Sequence, residues 1–138
     1  MLVNGVTDFT EEPLEIMGGT WMVGANYTMS SEQNVKLKGG AFATADGVTA
    51  TVGRLMVDSE GGGIVVGANS AVQFLDSSAE TWSGLVEVTC GAGSSVRFGT
   101  SSGALTSEQK ARLRLNGKRA TLSSDGFVTI GGFCLIYR

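Results

Sequence analysis

Acidic side chains are the residues of this chain whose type and spacing come closest to those of a catalytic site. Enzymes that cleave polysaccharides use two carboxyl groups about 5–10 Å apart, one as an acid and one as a base or nucleophile. Seven carboxylates could supply such a pair: Glu32, Asp46, Asp58, Glu60, Asp76, Glu80 and Glu87. The sequence does not show that any two of them face each other across a cleft, so we predict no catalytic residues.

The tightest pair in the sequence is Asp58 and Glu60, which precede three consecutive glycines. Carboxylate oxygens bind hard cations such as Ca²⁺, so this short segment could hold one. A solvated corner is the alternative, and we adopt it, predicting neither a metal site nor a cofactor. Asp46 is expected to stabilise a turn with its short side chain.

Other reactive residue types are scarce. The chain has no histidine, so the usual general base and the commonest zinc ligand are missing. Cys90 is expected to be a buried free thiol, and a bridge to Cys134 is left open. Thr49 and Thr51 face outward as in ice-binding solenoids, but no other repeat carries the pair.

A repeated nine-residue segment is the strongest pattern in the sequence, and it must position any site. Residues 21–29 (WMVGANYTM), 64–72 (IVVGANSAV) and 88–96 (VTCGAGSSV) are close copies, and 42–50 (FATADGVTA) is a weaker one. Their first small turn residues lie 21, 22 and 24 residues apart; they are Gly24, Ala45, Gly67 and Gly91. Repeats of this length with strand-like alternation are typical of solenoids.

Aligning the four copies defines four sets of residues that are predicted to point inward. The sets are Trp21, Phe42, Ile64 and Val88; Val23, Thr44, Val66 and Cys90; Met29, Ala50, Val72 and Val96; and Ser31, Val52, Phe74 and Phe98. A polar residue separates the last two sets in every copy, which is the pattern of a strand with one buried face. Further apolar segments follow the same period: Val35 and Leu37, then Leu55 to Val57, then Leu85 and Val86.

These repeats predict an all-β fold, a single-stranded right-handed parallel β-helix of about four rungs of 21–24 residues. One rung cannot bury its apolar face alone, so equivalent strands are expected to stack about 4.8 Å apart. An antiparallel sandwich is the alternative. It gives no reason for the same corner to return about every 22 residues.

The end of the chain breaks the repeat and is predicted to cap the coil. A short helix is expected at residues 106–113, with Thr106 as its N-cap and Gln109 completing a capping box. Asn116 and Gly117 are a strong two-residue turn signal between short strands. The predicted organisation is a single domain over residues 1–138, with rungs over 14–103 and a cap over 104–138.

Charge is unevenly distributed along the chain, although the net charge is only −3. Residues 1–104 carry four basic and eleven acidic residues, and residues 105–138 carry six basic and two acidic ones. The acidic body and basic cap could join copies into a homo-oligomer or attract an acidic partner, although a solvated surface is the expectation. Nucleic acid is not expected, because the whole chain is acidic and its basic end has no reader motif.

Targeting signals are not recognisable in the sequence. No run of about 18 apolar residues occurs, so we predict no membrane span. The first residues (MLVNG) lack a charged start followed by an apolar stretch, so no signal peptide is predicted. The protein is then either cytoplasmic or a piece of a longer exported chain, which would be extracellular or at the cell surface.

Three runs near the C-terminus carry a family resemblance. They are VRFGT at 96–100, ALTSEQKARLRLNG at 104–117 and ATLSSDGFV at 120–128. This segment resembles the C-terminal end of the passenger region in autotransporter-type β-helix surface proteins, which follows Gly-rich β-strand repeats. The resemblance implies an exported, surface-associated β-helix and carries over no catalytic residues.

These observations favour a non-catalytic surface or secreted solenoid module with a structural or adhesin-like role. The first alternative is a carbohydrate-binding or carbohydrate-active module. In that case Trp82 and Tyr27, predicted near rung edges, could stack on sugar rings, although core or edge-covering roles are the expectation. The second alternative is a segment of a trimeric phage or virus fibre. A glycan or surface partner fits the first two interpretations.

Overall fold

Short strands dominate the structure, a computed structural model that describes residues 2–3, 14–28 and 34–130 of the 138. The described helical elements are a 3₁₀ turn at Ser102–Ala104 and helix α1 at Ser107–Ala111. In chain order the strands are β1 (Leu2–Val3), β2 (Leu14–Ile16), β3 (Thr20–Val23), β4 (Tyr27–Thr28), β5 (Val35–Leu37), β6 (Ala41–Thr44), β7 (Thr49–Thr51), β8 (Leu55–Val57), β9 (Gly62–Val66), β10 (Ala71–Phe74), β11 (Val86–Cys90), β12 (Ser95–Phe98), β13 (Leu113–Leu115), β14 (Lys118–Leu122) and β15 (Val128–Ile130).

Three sheets form the faces of a coil. Face 1 contains β2, β5 and β8; face 2 runs from β1 through β3, β6, β9 and β11 to β13; and face 3 contains β4, β7, β10 and β12. The chain visits faces 1, 2 and 3 in turn, and neighbouring strands within each face pair in parallel. The predicted parallel β-helix of about four turns is confirmed, and the antiparallel sandwich is wrong.

The register of face 2 matches the alignment of the repeats. Phe42 pairs with Trp21 on one side and with Ile64 on the other, and Ile64 pairs with Val88. All four side chains are buried, so they form the predicted ladder through the core. The ladder that begins at Val23 is likewise in register through the next three turns.

One inward position was predicted wrongly in the first turn. Tyr27, and not Met29, lies opposite Ala50 on face 3. The corner before β4 is therefore two residues shorter than its counterpart before β7. Because Tyr27 and Met29 are two apart, the alternation of the strand is preserved and the sequence pattern does not reveal the shift. Met29 and Ser31 themselves lie outside the described residues.

The fourth turn departs from the repeat on face 1. Leu85 and Val86 were predicted to continue the series of Leu55 and Val57, but Leu85 is 54% exposed and Val86 begins β11 on face 2. The place on face 1 is taken by Trp82, which forms a single parallel bridge with Val57. Residues 75–85 thus make a long connection in place of a regular strand.

Aromatic rings fill the core from the first turn to the last. Phe42 stacks on Trp21 with 5.6 Å between ring centroids and is tilted toward Phe74 at 6.2 Å. Phe74 stacks on Phe98 at 4.9 Å with an interplanar angle of 12°, and Trp82 meets Phe98 edge-on at 5.8 Å. Such offset and edge-on pairs stabilise a core beyond the burial of their area.

The corners between faces are held by polar side chains that bond across turns. Thr44 and Ser70 are buried at the corner between faces 2 and 3, and each hydroxyl accepts a backbone N–H from a neighbouring turn, from Gly67 and Val48 respectively. At the corner between faces 3 and 1, the buried Ser77 hydroxyl accepts from the N–H of Leu55 at 3.0 Å. These bonds satisfy main-chain groups that the strand ladders leave unpaired.

The end of the coil is covered by α1 and two antiparallel strands. The predicted helix at 106–113 is shorter, because Leu113 is fully buried and starts β13, which pairs in parallel with β11. The predicted capping box is confirmed: Gln109 Oε1 accepts from the N–H of Thr106, and Thr106 Oγ1 accepts from the N–H of Gln109. The predicted turn is also confirmed, with φ of 50° at Asn116 and 85° at Gly117 between β13 and β14.

Candidate functional site

Two of the seven candidate carboxylates accept hydrogen bonds from backbone N–H groups and stabilise turns. Asp46 Oδ1 accepts from the N–H of Ala68, 2.9 Å away in the next turn of the coil, so its expected turn-stabilising role acts between rungs. Glu87 Oε2 accepts from the N–H of Gly117 at 2.7 Å, at the hairpin of the cap. Both side chains have a structural task that explains their position.

The segment proposed for a cation, Asp58 and Glu60, faces a lysine. Asp58 Oδ2 lies 4.0 Å from Lys38 Nζ, and the same ammonium is 3.8 Å from Glu15 Oε1. Across the residues described, no group of three or more His, Cys, Asp or Glu side chains is placed to share a metal ion. Lys38 neutralises charge between two carboxylates here, which supports the solvated-corner interpretation.

Asp76 and Glu80 lie in the long connection of the fourth turn. Asp76 Oδ1 accepts from the hydroxyl and the backbone N–H of Ser78, and these hydrogen bonds lower the pKa of the Asp76 carboxyl below its usual value. Glu80 Oε2 lies 3.8 Å from Arg54 Nη1. Glu32 lies outside the described residues.

The candidate aromatic and sulfur groups are part of the core or outside the described structure. Trp82 is 5% exposed and its Nε1–H donates to the carbonyl of Leu55 at 2.8 Å, so its ring is not available for sugar stacking. The side chain of Tyr27 lies outside the described residues. Cys90 packs against the core and makes no disulfide within the described residues, but it is half-buried and not buried as predicted. Cys134 is outside the described residues, so the alternative of a bridge is not tested.

A recess within the described ranges gathers polar groups from separate elements. It holds about 210 Å³ and is called the loop pocket below. Strands β5 and β8 supply one wall and the connection of the fourth turn supplies the other. Its lining residues are Lys36, Met56, Val57, Asp58, Glu80, Thr81 and Ser83. A second recess of about 210 Å³ is lined by the single continuous segment 15–21.

The wall formed by the connection is fixed by bonds to its surroundings. Gln109, buried in the cap, donates through Nε2 to the carbonyls of Ser77 and Glu80, each at 2.8 Å. The backbone N–H of Ser77 donates to the carbonyl of Ala104 at 3.0 Å, and Trp82 bonds to Leu55 as described. The loop pocket is therefore formed before any ligand arrives, which lowers the entropic cost of binding.

The chemistry of the loop pocket is polar but nearly balanced in charge. Its carboxylates Asp58 and Glu80 are each paired with a cation, Lys38 and Arg54, and Lys36 adds a donor. The hydroxyls of Thr81 and Ser83 can both donate and accept. A recess of this size, smaller than the roughly 300–1,000 Å³ of drug-sized sites, fits a small hydroxyl-rich molecule.

Asp58 and Glu80 were candidate carboxylates from the sequence. The sequence did not predict that they line the same recess, and it did not point to the other lining residues. Lys36 is an alternating outward residue like many others, and Thr81 and Ser83 stand in a segment without strand periodicity. The lengthened spacing of 24 residues before the fourth copy was the available signal, because the extra residues had to leave the regular coil.

No family model matches the chain, and neither a curated protein nor a solved structure resembling it was found. In the part of the chain that is described, no helix has the length and apolar character needed to cross a membrane.

Proposed function

We propose that this chain is a non-catalytic β-solenoid module, secreted or displayed at a cell surface, with a structural or adhesin-like role. One observation carries the proposal: the side chains that could do chemistry are engaged in architecture. Asp46 and Glu87 bond to backbone, Asp58 faces Lys38, and Trp82 is in the core.

Packing also supports a structural role. The buried residues form one cluster that runs through every turn and into the cap, where Leu105 and Leu113 are buried with it. In a solenoid the outer faces are exposed along the whole length, whereas the inward side chains contact only those of neighbouring turns. Such a body acts on its surroundings through its outer surface.

Surface display can be tested on the organism that makes the protein. Antibodies raised against the purified chain are expected to label intact cells, or to detect the protein in the medium, since an adhesin-like module must face outward. Labelling only after permeabilisation would contradict the proposal, and a cytoplasmic marker controls for cell integrity. New reducing ends released from polysaccharides by the purified protein would contradict the non-catalytic role.

A second candidate function is the binding of a neutral sugar in the loop pocket. The observation that favours it is the combination of paired carboxylates, two hydroxyls and the half-buried Met56 in one preformed recess. Sugars present hydroxyls at their edges and apolar C–H groups on their faces. The polar side chains of the loop pocket can bind the hydroxyls, and Met56 can contact an apolar face. One monosaccharide in so small a recess is expected to bind weakly, with a Kd of about 1 mM.

Filling the loop pocket tests this second function. Ser83→Phe places a ring in the recess without removing any hydrogen bond described for the Ser83 side chain, so affinity for monosaccharides is expected to fall about tenfold or more. Ser124→Phe, on an exposed turn of the cap, is the matched control and should bind normally. Saturation-transfer NMR with glucose, galactose and N-acetylglucosamine is the measurement. Equal signals from all three proteins, or none from the unmodified protein, would rule out the sugar site.

A further inference from the structure

Three arginines lie close together in the chain of the cap and are called the arginine strip: Arg112, Arg114 and Arg119. Arg114 and Arg119 are directly opposite each other in the antiparallel pair β13–β14. Arg112 is the C-cap residue of α1 and directly precedes β13. We propose that the arginine strip binds a polysaccharide bearing sulfate or carboxylate groups, which rests on the proposed surface role of the chain.

Arg114 presents an open pair of donors. Its Nη1 donates to the carbonyls of Ala111 at 2.9 Å and Leu113 at 3.1 Å, and these two bonds fix the guanidinium. The Nε–H and the Nη2 amino group make no hydrogen bond within the described part of the chain. That edge of a guanidinium is the one that grips carboxylate and sulfate groups with two parallel bonds.

Arg112 is anchored in the same way. Its Nη1 donates to the carbonyl of Ser83 at 3.2 Å, which leaves its other donors directed away from that bond. Two of the three guanidinium groups are thus positioned by backbone carbonyls and keep donors for a ligand. A pre-positioned cation loses less side-chain freedom when a partner binds.

The arginine strip is not arranged for stability. Like charges directly opposite each other across a strand pair destabilise a sheet, and Arg114 and Arg119 are such a pair. Glu87 is paired in register with Arg114, and its carboxylate, which also accepts from the N–H of Gly117, offsets only part of the positive charge of the three arginines. Ion pairs within 4.0 Å in the described ranges involve only Lys38 and Arg54. An anionic partner would supply the missing neutralisation.

The surroundings of the arginine strip favour a polysaccharide over other polyanions. Strands β13 and β14 (LRL and KRATL) carry no aromatic ring on which a nucleic-acid base could stack. Neither of these two strands has an exposed apolar anchor of the kind that dominates protein interfaces, and the exposed Phe127 and Ile130 lie on the far side of β14, at β15.

Retention on heparin and on polygalacturonate tests the proposal with the full chain. The unmodified protein is expected to bind at least one of them at low salt and not to bind neutral dextran. Arg119→Gln should weaken that binding about tenfold, the effect of losing one charge-assisted contact. The same variant should keep or raise the melting temperature, because it relieves the repulsion from Arg114. Lys118→Gln is the matched control, since Lys118 pairs with Leu115 and lies on the other side of the hairpin.

Several outcomes would overturn the proposal. They are no retention on either polyanion, equal losses in Arg119→Gln and Lys118→Gln, equally tight binding of single-stranded DNA, or a change of oligomeric state in Arg119→Gln. Surface labelling of cells together with no retention would overturn the arginine strip alone and leave the proposed function standing.

Discussion

Replacing Phe74 with alanine is expected to lower the free energy of unfolding by about 3–5 kcal/mol. Phe74 is fully buried, stacks on Phe98 at 4.9 Å and touches Phe42 at 6.2 Å between centroids. Removing its ring leaves a cavity between stacked turns, and the strand ladders on either side keep the turns from closing it. Because a domain is stable by only about 5–15 kcal/mol, this loss is a large share of the total.

Chemical denaturation measures the effect of Phe74→Ala, with the midpoint expected to fall and the slope unchanged. Phe127→Ala is the matched control, because its ring is partly exposed and its described contact is Arg97 Cζ, 4.8 Å from the ring centroid. Loss of that cation–π contact costs about 1 kcal/mol or less. Similar midpoints for the two variants would contradict a continuous aromatic core.

Gln109→Ala is expected to cost about 2–4 kcal/mol, because a single buried side chain serves the helix and the loop pocket together. Its Oε1 caps the N–H of Thr106, and its Nε2 satisfies the carbonyls of Ser77 and Glu80. Alanine leaves these groups without their partner in a region that water reaches poorly. Such orphaned polar groups lose the free energy of hydration without compensation.

Hydrogen exchange distinguishes the two roles of Gln109. Amides of residues 75–85 are expected to exchange faster in Gln109→Ala, because the connection loses the bonds that fix it to the cap. Glu108→Ala, an exposed change on the same helix, should leave their exchange as it was. Unchanged exchange in Gln109→Ala would mean that the connection is held without Gln109, by bonds such as those of Trp82 to Leu55 and of Ser77 to Ala104.

Local sequence features predicted the regular part of the fold because they depend on nearby residues. The corner at Asn69 needs a positive φ, 56° in the structure, and the sequence offers Asn there. Strict alternation on faces 2 and 3 identified the inward ladders, since a strand turns every second side chain to the core. The capping box of Thr106 and Gln109 and the turn at Asn116 are equally local.

Predicted inward positions were wrong where the length of a corner or connection changed but the alternation of apolar and polar residues did not. The short first corner placed Tyr27 where Met29 was expected. A shift of two residues leaves the same side chains facing inward, so the alternating pattern cannot reveal it. Leu85 was assigned to the core because it is apolar and lies at the right distance from earlier segments. The long connection of the fourth turn places Trp82 there instead.

By itself the sequence determined the type of coil, its approximate period, the corners and the presence of a cap, because each follows from backbone preferences and side-chain alternation. Only the tertiary structure decided that residues 75–85 fold back to form the loop pocket. That arrangement depends on bonds between groups far apart in the chain, such as Gln109 to Ser77. Those contacts are set by how the turns stack, and no local pattern encodes them.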